Sequence, residues 1–367
     1  MTRRWLLVAG VGLLTLAAAV AAILAVPAVD DTIFRYFVER RLVAGDTALL
    51  GGQDALKVLL CGTSAPFADP ARAQSCTAII AGGRYYLVDT GPGSARNLML
   101  WRLQGRELGA VFLTHFHSDH IGDLGEVNTN AWLAGHAGPL PVFGGPGVAA
   151  VVDGFNRAYA LDQSYRVANA GAKLQPPAAA VMQSIVIPLA GPPTASLSRT
   201  SRPLRFGDLT VTAIEVNHDP AAPAYGYRFD YRGRSVTISG DTRYHPPLGK
   251  AARRSDVLVH EAQSQHLVDL VSEAAHDVGR DRIAQTMRDI HHYHTDPVDA
   301  ARIANAAGVR LVVFTHLDPP PSNWLISRMF YRGVDEVRPK GWISGEDGTL
   351  ITCPVGSSAI TISTLQR

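Results

Sequence analysis

The sequence predicts an α/β protein in which two mixed β-sheets pack face to face between flanking helices, an αββα sandwich set behind an apolar N-terminal segment. Three observations carry this. Short β-rich runs and helical patterns alternate through two successive halves of the chain. One buried-type strand runs into a loop dense in histidine and aspartate. The first thirty residues have a composition unlike the rest.

The N-terminal segment comes first. From Trp5 to Val29 no charged side chain interrupts an apolar run of about 25 residues, against about 20 needed to span a bilayer. Arg3 and Arg4 precede it, which predicts a cytoplasmic N-terminus and an exported catalytic part. The run is longer than the roughly 7–15 apolar residues of a cleaved signal peptide. An uncleaved membrane-spanning anchor over 1–30 is therefore favoured over a signal peptide cleaved after Ala28. The expected location is the inner membrane with the catalytic part periplasmic, or secreted if cleavage occurs. Arg35, Arg40 and Arg41 beyond the run argue the other way. Ile33, Phe34, Phe37, Val38 and Leu42 recur at helical spacing and suggest an amphipathic juxtamembrane helix; residues 31–55 complete it with a Gly-rich linker. Residues 56–367 are left for one catalytic domain.

Within that domain, strands are expected at 56–60, 77–80, 85–89, 110–114, 184–188, 209–216, 224–230, 235–239, 257–260 and 310–315. Helices are expected near 94–104, 122–134, 146–160, 262–290 and 297–307. Residues 171–203 carry six prolines, Pro176, Pro177, Pro188, Pro192, Pro193 and Pro203, and read as an irregular segment or lid. Composition is that of a globular enzyme: 367 residues, 47% apolar, 18% charged. A net charge of +2 without like-charge blocks offers no strong nucleic-acid footprint. Cys61, Cys76 and Cys353 are too few for a disulfide scaffold; Cys61 and Cys76 read either as a pair or as two small core residues.

The chemistry lies in residues 111–120, Val-Phe-Leu-Thr-His-Phe-His-Ser-Asp-His. Imidazoles and carboxylates at that density are costly to hold together unless a cation pairs them, and zinc suits both donors. His115 and His117 alternate along an extended backbone and point one way. Asp119 and His120 lie beyond the turn. Three later fragments each follow a strand and bring one more donor: Glu-Val-Asn-His-Asp at 215–219 with His218, Ile-Ser-Gly-Asp-Thr at 238–242 with Asp241, and Val-Phe-Thr-His-Leu at 313–317 with His316.

This ordered set resembles the signature of the metallo-β-lactamase superfamily over roughly residues 56–320. The resemblance implies that His115, His117 and His218 bind one divalent metal ion. Asp119, His120 and His316 would bind a second, with Asp241 bridging both and Zn²⁺ the expected ion. Val-Leu-Val-His-Glu-Ala at 257–262 and Tyr-His-Thr-Asp-Pro at 293–297 look like paired motifs of the tRNase Z and arylsulfatase-like branch. There Glu261 and His294 form a proton relay, and Asp119, Glu261 and His294 are the expected catalytic groups. Leu-Cys-Gly-Thr-Ser-Ala-Pro at 60–66, Leu-Val-Asp-Thr-Gly at 87–91 and Tyr225-Gly226-Tyr227-Arg228 fit the same branch. The branch's His-Ser-Thr is here His294-Thr295-Asp296, and no basic, Gly/Pro-rich tRNA-gripping arm is recognisable.

The implied function is hydrolysis by a metal-bridged hydroxide of a small phosphodiester or sulfate ester, with His294, oriented by Glu261, protonating the leaving oxygen. Asp89, ending an apolar strand, is expected to orient a ligand imidazole. The export reading disfavours tRNA as a partner; a homodimer is open. Competing readings are a lactone or β-lactam hydrolase, an iron-containing oxygenase or redox protein on the same fold, and a non-catalytic membrane sensor. His260 is expected beside the ligands or in the core, His245 near the mouth, and His136, His266, His276, His291 and His292 in solvent. Core packing is the expected role of Trp324 and Phe330.

Overall fold

The computed structural model describes residues 13, 16–18, 20–21, 26–43, 47–103, 105–191 and 198–366. The chain divides into two compact units, Met1–Ala48 and Leu49–Arg367.

In the second unit, two β-sheets form as the sequence predicts. The first has eight strands: β1 (Ala55–Gly62), β2 (Cys76–Ala81), β3 (Arg84–Val88), β4 (Leu108–Phe112), β5 (Leu140–Gly144), β6 (Met182–Val186), β16 (Thr349–Pro354) and β17 (Thr361–Thr364). Their order is β17-β16-β1-β2-β3-β4-β5-β6, antiparallel up to β3 and parallel from β3 onward. The second sheet holds β7 (Leu189–Ala190), β8 (Thr200–Ser201), β9 (Leu204–Phe206), β10 (Leu209–Val216), β11 (Ala224–Tyr231), β12 (Arg234–Ile238), β13 (Val257–Gln263), β14 (Leu311–Asp318) and β15 (Trp342–Ser344). Its order is β15-β14-β13-β12-β11-β10-β8-β7, with β9 also on β10.

Alternation along the strands divides the apolar side chains between layers. Val58 and Leu60 face the core between the sheets together with Phe112, Phe229, Val259 and Val313. Their neighbours Leu59 and Cys61 face the opposite way, toward Leu98 and Val127 of the helices Ser94–Leu100 and Leu124–Leu133. Val312 and Phe314 likewise pack outward on the helix Pro297–Ala307. That helix starts where it should: Asp296 caps it by accepting from the Val298 N–H, and Pro297 opens the first turn.

Several expectations need adjustment. The stretch 262–290 is two helices, Gln265–Asp277 and Asp281–Ile290, because Gly279 turns the chain at a φ of 71°. The Pro-rich stretch 171–203 contributes β6, β7 and β8; residues 192–197 within it lie outside the described residues. Cys61 and Cys76 are joined as a disulfide, with Cα atoms 4.9 Å apart. Phe330 is core, whereas Trp324 is 74% exposed, so its expected core role is wrong. His136 is held rather than solvated, with Nδ1 on the Gly138 carbonyl and Nε2 on that of Leu108.

The expected membrane-spanning or signal helix over 1–30 is corrected. No helix among the described residues is long and apolar enough to cross a membrane. The helix described there, Pro27–Val43, carries Asp30, Asp31, Arg35, Glu39 and Arg40. Phe34 and Phe37 are exposed among those charges, so it has no separate apolar face either. Much of the apolar run, residues 1–12 and 22–25 included, lies outside the described residues.

Candidate metal centre

Seven side chains from four strand ends meet on one edge of the sandwich. β4 runs into Thr114, His115 and His117, and the short helix Ser118–Ile121 then presents Asp119 and His120. β10 leads to His218 and β12 to Asp241, while His316 lies within β14. Opposite β13, Glu261 pairs with Thr315 and Ala262 with Leu317, so His316 is the extra residue of a β-bulge. It has a φ of 46°. A histidine there costs roughly 1–2 kcal/mol of backbone strain, and the bulge re-aims its ring into the cleft.

The donor atoms fall into two groups around one carboxylate oxygen. Donor atoms of His115, His117 and His218 lie within 4.8 Å of one another, as do those of Asp119, His120 and His316. Asp241 Oδ2 stands between the groups. It is 3.2 Å from His120 Nε2 and from His316 Nε2, 3.8 Å from His218 Nε2 and 3.9 Å from His115 Nε2. All of these residues are buried except His117, which is exposed.

The outer nitrogens fix which nitrogen faces the centre. Asp89, at the end of β3, lies with Oδ2 2.8 Å from His120 Nδ1. The same oxygen accepts from the Thr114 hydroxyl at 2.8 Å, and that hydroxyl sits 3.1 Å from His115 Nδ1. His218 Nδ1 donates to the Tyr293 carbonyl at 3.0 Å. In the neutral form of each ring this leaves Nε2 as the acceptor that faces the centre. The sequence suggested that Asp89 orients a ligand imidazole without saying which; the ring it reaches is that of His120. Thr114 and the Tyr293 carbonyl were missed; a hydroxyl residue immediately before His115 was the available signal for the first.

Charge separates the two groups. Burial lowers His115 well below the ordinary imidazole range and His218 to about 4, so these rings are neutral donors. Burial also disfavours charge on His120, but Asp241, Asp89 and Asp119 outweigh it and raise the ring well above its ordinary value. His316 is raised in the same way, chiefly by Asp241. Burial pushes the Asp241 carboxyl up, and the imidazoles led by His316 and His120 hold it well below the usual range.

The donor set fits divalent cations. His120 Nε2 and His218 Nε2 are buried and have no hydrogen-bond partner among the described residues. Such orphaned acceptors, packed around carboxylates, are costly unless a cation takes their lone pairs.

A second constellation adjoins the first. Glu261 Oε1 accepts from the backbone N–H of Thr295 at 2.9 Å and of Thr242 at 3.3 Å. Its Oε2 lies 3.4 Å from His294 Nδ1. The His294 ring is 5.1 Å from that of His218 and stacks on that of His316 at 5.4 Å. Burial opposes charge on His294, but Glu261 raises it to about 9. The remaining histidines stand apart. His260 is core, with Nδ1 2.7 Å from the Glu261 carbonyl oxygen. His245 is half-buried against Ser198. His276 and His291 pair with Asp281 and Asp269 at the surface.

A histidine and carboxylate cleft on the strand ends of an αββα sandwich defines a hydrolase of the metallo-β-lactamase fold. The chain belongs to that superfamily: residues 84–317 match the family described as the Beta-lactamase superfamily domain. It is 34% identical over 267 residues to Ribonuclease Z of Mycobacterium bovis (strain BCG / Pasteur 1173P2), covering 72% of this chain and 86% of the relative. Identity to Ribonuclease Z of Mycolicibacterium gilvum (strain PYR-GCK) is 31% over 269 residues, 72% of this chain and 85% of that one. The fold is shared with human tRNase Z, short form, at a TM-score of 0.56 and 21% identity, over 81% of this chain and 99% of that one. YhfI of Bacillus subtilis, a metallo-β-lactamase fold protein, also gives 0.56, at 19% identity, over 82% of this chain and all of the other.

These relatives correct two further expectations. Disfavouring tRNA and favouring a small-molecule substrate rested on export, and export rested on the apolar segment alone. Relatives named Ribonuclease Z, similar over most of their length, overturn the exclusion. The periplasmic, membrane-anchored or secreted location and the membrane partner fall with the same argument. Net charge misled as well, because charges within reach of a phosphate decide its binding and a sum over the chain does not.

Proposed function

We propose that this protein is a dinuclear zinc-dependent phosphodiesterase acting on RNA, with tRNA as the substrate class. The observation that carries it is His294: a buried, Glu261-paired imidazole stacked on His316 and tilted against His218, beside a candidate ligand of each group. The relatives' name supplies the polymer.

His115, His117 and His218 would hold one ion, Asp119, His120 and His316 the other, with Asp241 between them. Two such ions would activate a water and offset charge on the non-bridging oxygens of the phosphoryl group. The protein's own part is proton delivery. With a pKa raised to about 9, His294 carries its proton at neutral pH. Glu261, fixed by two backbone N–H groups, orients Nδ1 and leaves Nε2 to protonate the departing ribose oxygen. A sugar hydroxyl is a poor leaving group, which is the case in which general acid help matters most.

The test uses the full chain and an RNA with a tRNA-like fold and a 3′ extension. Cleavage is expected to stop with a chelator and return with zinc. Turnover of aryl sulfates or lactones without RNA cleavage would overturn the reading.

A further inference from the structure

Beside the first ligand group lies a cavity of about 330 Å³, within the size range of small-ligand sites. His115 and His117 form its inner wall. The rest is built from Phe116, Pro146, Pro220, Ala221, Ala222 and Pro223. Among these lining residues no charged side chain occurs.

Two features show how the walls are kept in place. Phe116 lies between the two ligands, lines the same cavity and packs in part against the buried cluster that includes Leu113, Leu124 and Val148. Gly147 lets the chain pass beneath its ring: a Cβ there would come within 2.9 Å of Phe116 Cε2. The backbone at Gly147, with a φ of 107°, is also one that other residues rarely adopt. The prolines on the opposite side lose no side-chain freedom when covered. An uncharged wall of one aromatic and three prolines offers little to a phosphate or a bare sugar, and offers flat apolar contact to an aromatic ring.

We infer that this cavity is a base-binding subsite. It would take the purine or pyrimidine of the nucleotide next to the scissile phosphate, with Phe116 as its stacking residue. This rests on the phosphodiesterase reading above and names a specificity element for it. Stacking on an aromatic side chain tolerates any base, because every base presents a π-face. No lining side chain other than the two ligand imidazoles carries a hydrogen-bonding group, so the subsite distinguishes a base from no base and not one base from another.

Calorimetry on the zinc-loaded full chain tests this with adenosine 5′-monophosphate, uridine 5′-monophosphate and ribose 5-phosphate. The three share a phosphate and a sugar, and only the last lacks a base. Both nucleotides are expected to bind about 5- to 150-fold more tightly than ribose 5-phosphate. Phe116→Ala should abolish that advantage with bound zinc unchanged, and Phe116→Trp should retain it. Ala222→Leu, at an exposed position, fills the cavity from the other side and should reduce the advantage without touching the Phe116 packing. Equal affinity for nucleotide and ribose phosphate in the parent protein overturns the inference. So does an advantage that survives both Phe116→Ala and Ala222→Leu. The two readings fail separately. RNA cleavage with base-independent binding removes only the subsite, whereas base-dependent binding without RNA cleavage removes only the phosphodiesterase.

Discussion

The two ligand groups are built from similar side chains and solve different electrostatic problems. His115, His117 and His218 are three imidazoles, the buried ones kept neutral by desolvation, with His117 open to solvent. Asp119, His120 and His316 are buried, and their imidazoles are drawn toward the protonated form by neighbouring carboxylates. On the proposed dinuclear reading, the first group would take a cation with little proton release and the second with more. Asp241 belongs to both, since its Oδ2 lies within 3.9 Å of two imidazoles on each side. A pair of unlike sites sharing one carboxylate is therefore expected to fill unequally and to fail together when that carboxylate is removed.

Removing Asp241 should have the largest effect. Asp241→Ala leaves both groups without the charge that offsets two cations, so metal content and turnover should fall together. The expected loss in turnover exceeds the roughly 10–100-fold typical of losing an outer partner of a metal ligand. Elemental analysis beside an RNA cleavage assay checks it; two tightly held ions in the variant would mean that Asp241 does not serve both groups.

His294→Ala comes next. Turnover should drop about 10²–10⁴-fold at unchanged metal stoichiometry. The loss should shrink on a phosphodiester with a nitrophenolate leaving group, which departs with little protonation. Equal losses on good and poor leaving groups, or lost metal, would place His294 in binding or folding instead. Glu261→Gln should follow the same trend more mildly.

Asp89→Asn sharpens the comparison between the groups. Asp89 holds His120 directly and His115 only through Thr114. Affinity should fall about 10–100-fold, and at the second group before the first. Competition with a chromophoric chelator resolves the two steps; a loss confined to the first group would reverse the assignment.

Proton release separates the groups further. Neighbouring carboxylates raise the imidazoles of the second group, so binding a cation there should release more protons than at the first group and affinity there should rise with pH. The first group includes His218, lowered to about 4, and should bind nearly independently of pH between about 5 and 7. Calorimetry in buffers of different ionisation enthalpy counts the protons. Equal release from both steps would show that the carboxylates do not act on the second group selectively.

The smallest effect on the centre should come from the Cys61–Cys76 disulfide, which closes a separation of 15 residues. Its reduction should cost about 3 kcal/mol of stability. Bound metal should stay constant below the transition. A drop in metal content on reduction would tie the disulfide to the ligand loop.

Much of this contrast was legible in the sequence. Every candidate ligand follows or ends an apolar strand, and strand periodicity is a local signal; β10 runs over Leu209–Val216, as the pattern indicates. The bulge that turns His316 inward was not legible, because it depends on register against β13, a partner some fifty residues away. β5 escaped because Pro141 interrupts a strand of only five residues. β7–β9 escaped because prolines on either side disguised short pairings to β10 and β8. The cavity beside Phe116 needed three loops brought together. The apolar N-terminal run, by contrast, was read too far: a hydropathy pattern was allowed to decide location and then substrate, against motifs that pointed to RNA-processing relatives.

The most direct test is a zinc titration of the metal-free full chain, following bound ions and cleavage of a 3′-extended tRNA-like RNA in the same samples. The account predicts two equivalents bound, with cleavage appearing only as the second is taken up. Full cleavage at one equivalent, or cleavage that persists after both are removed, would contradict it.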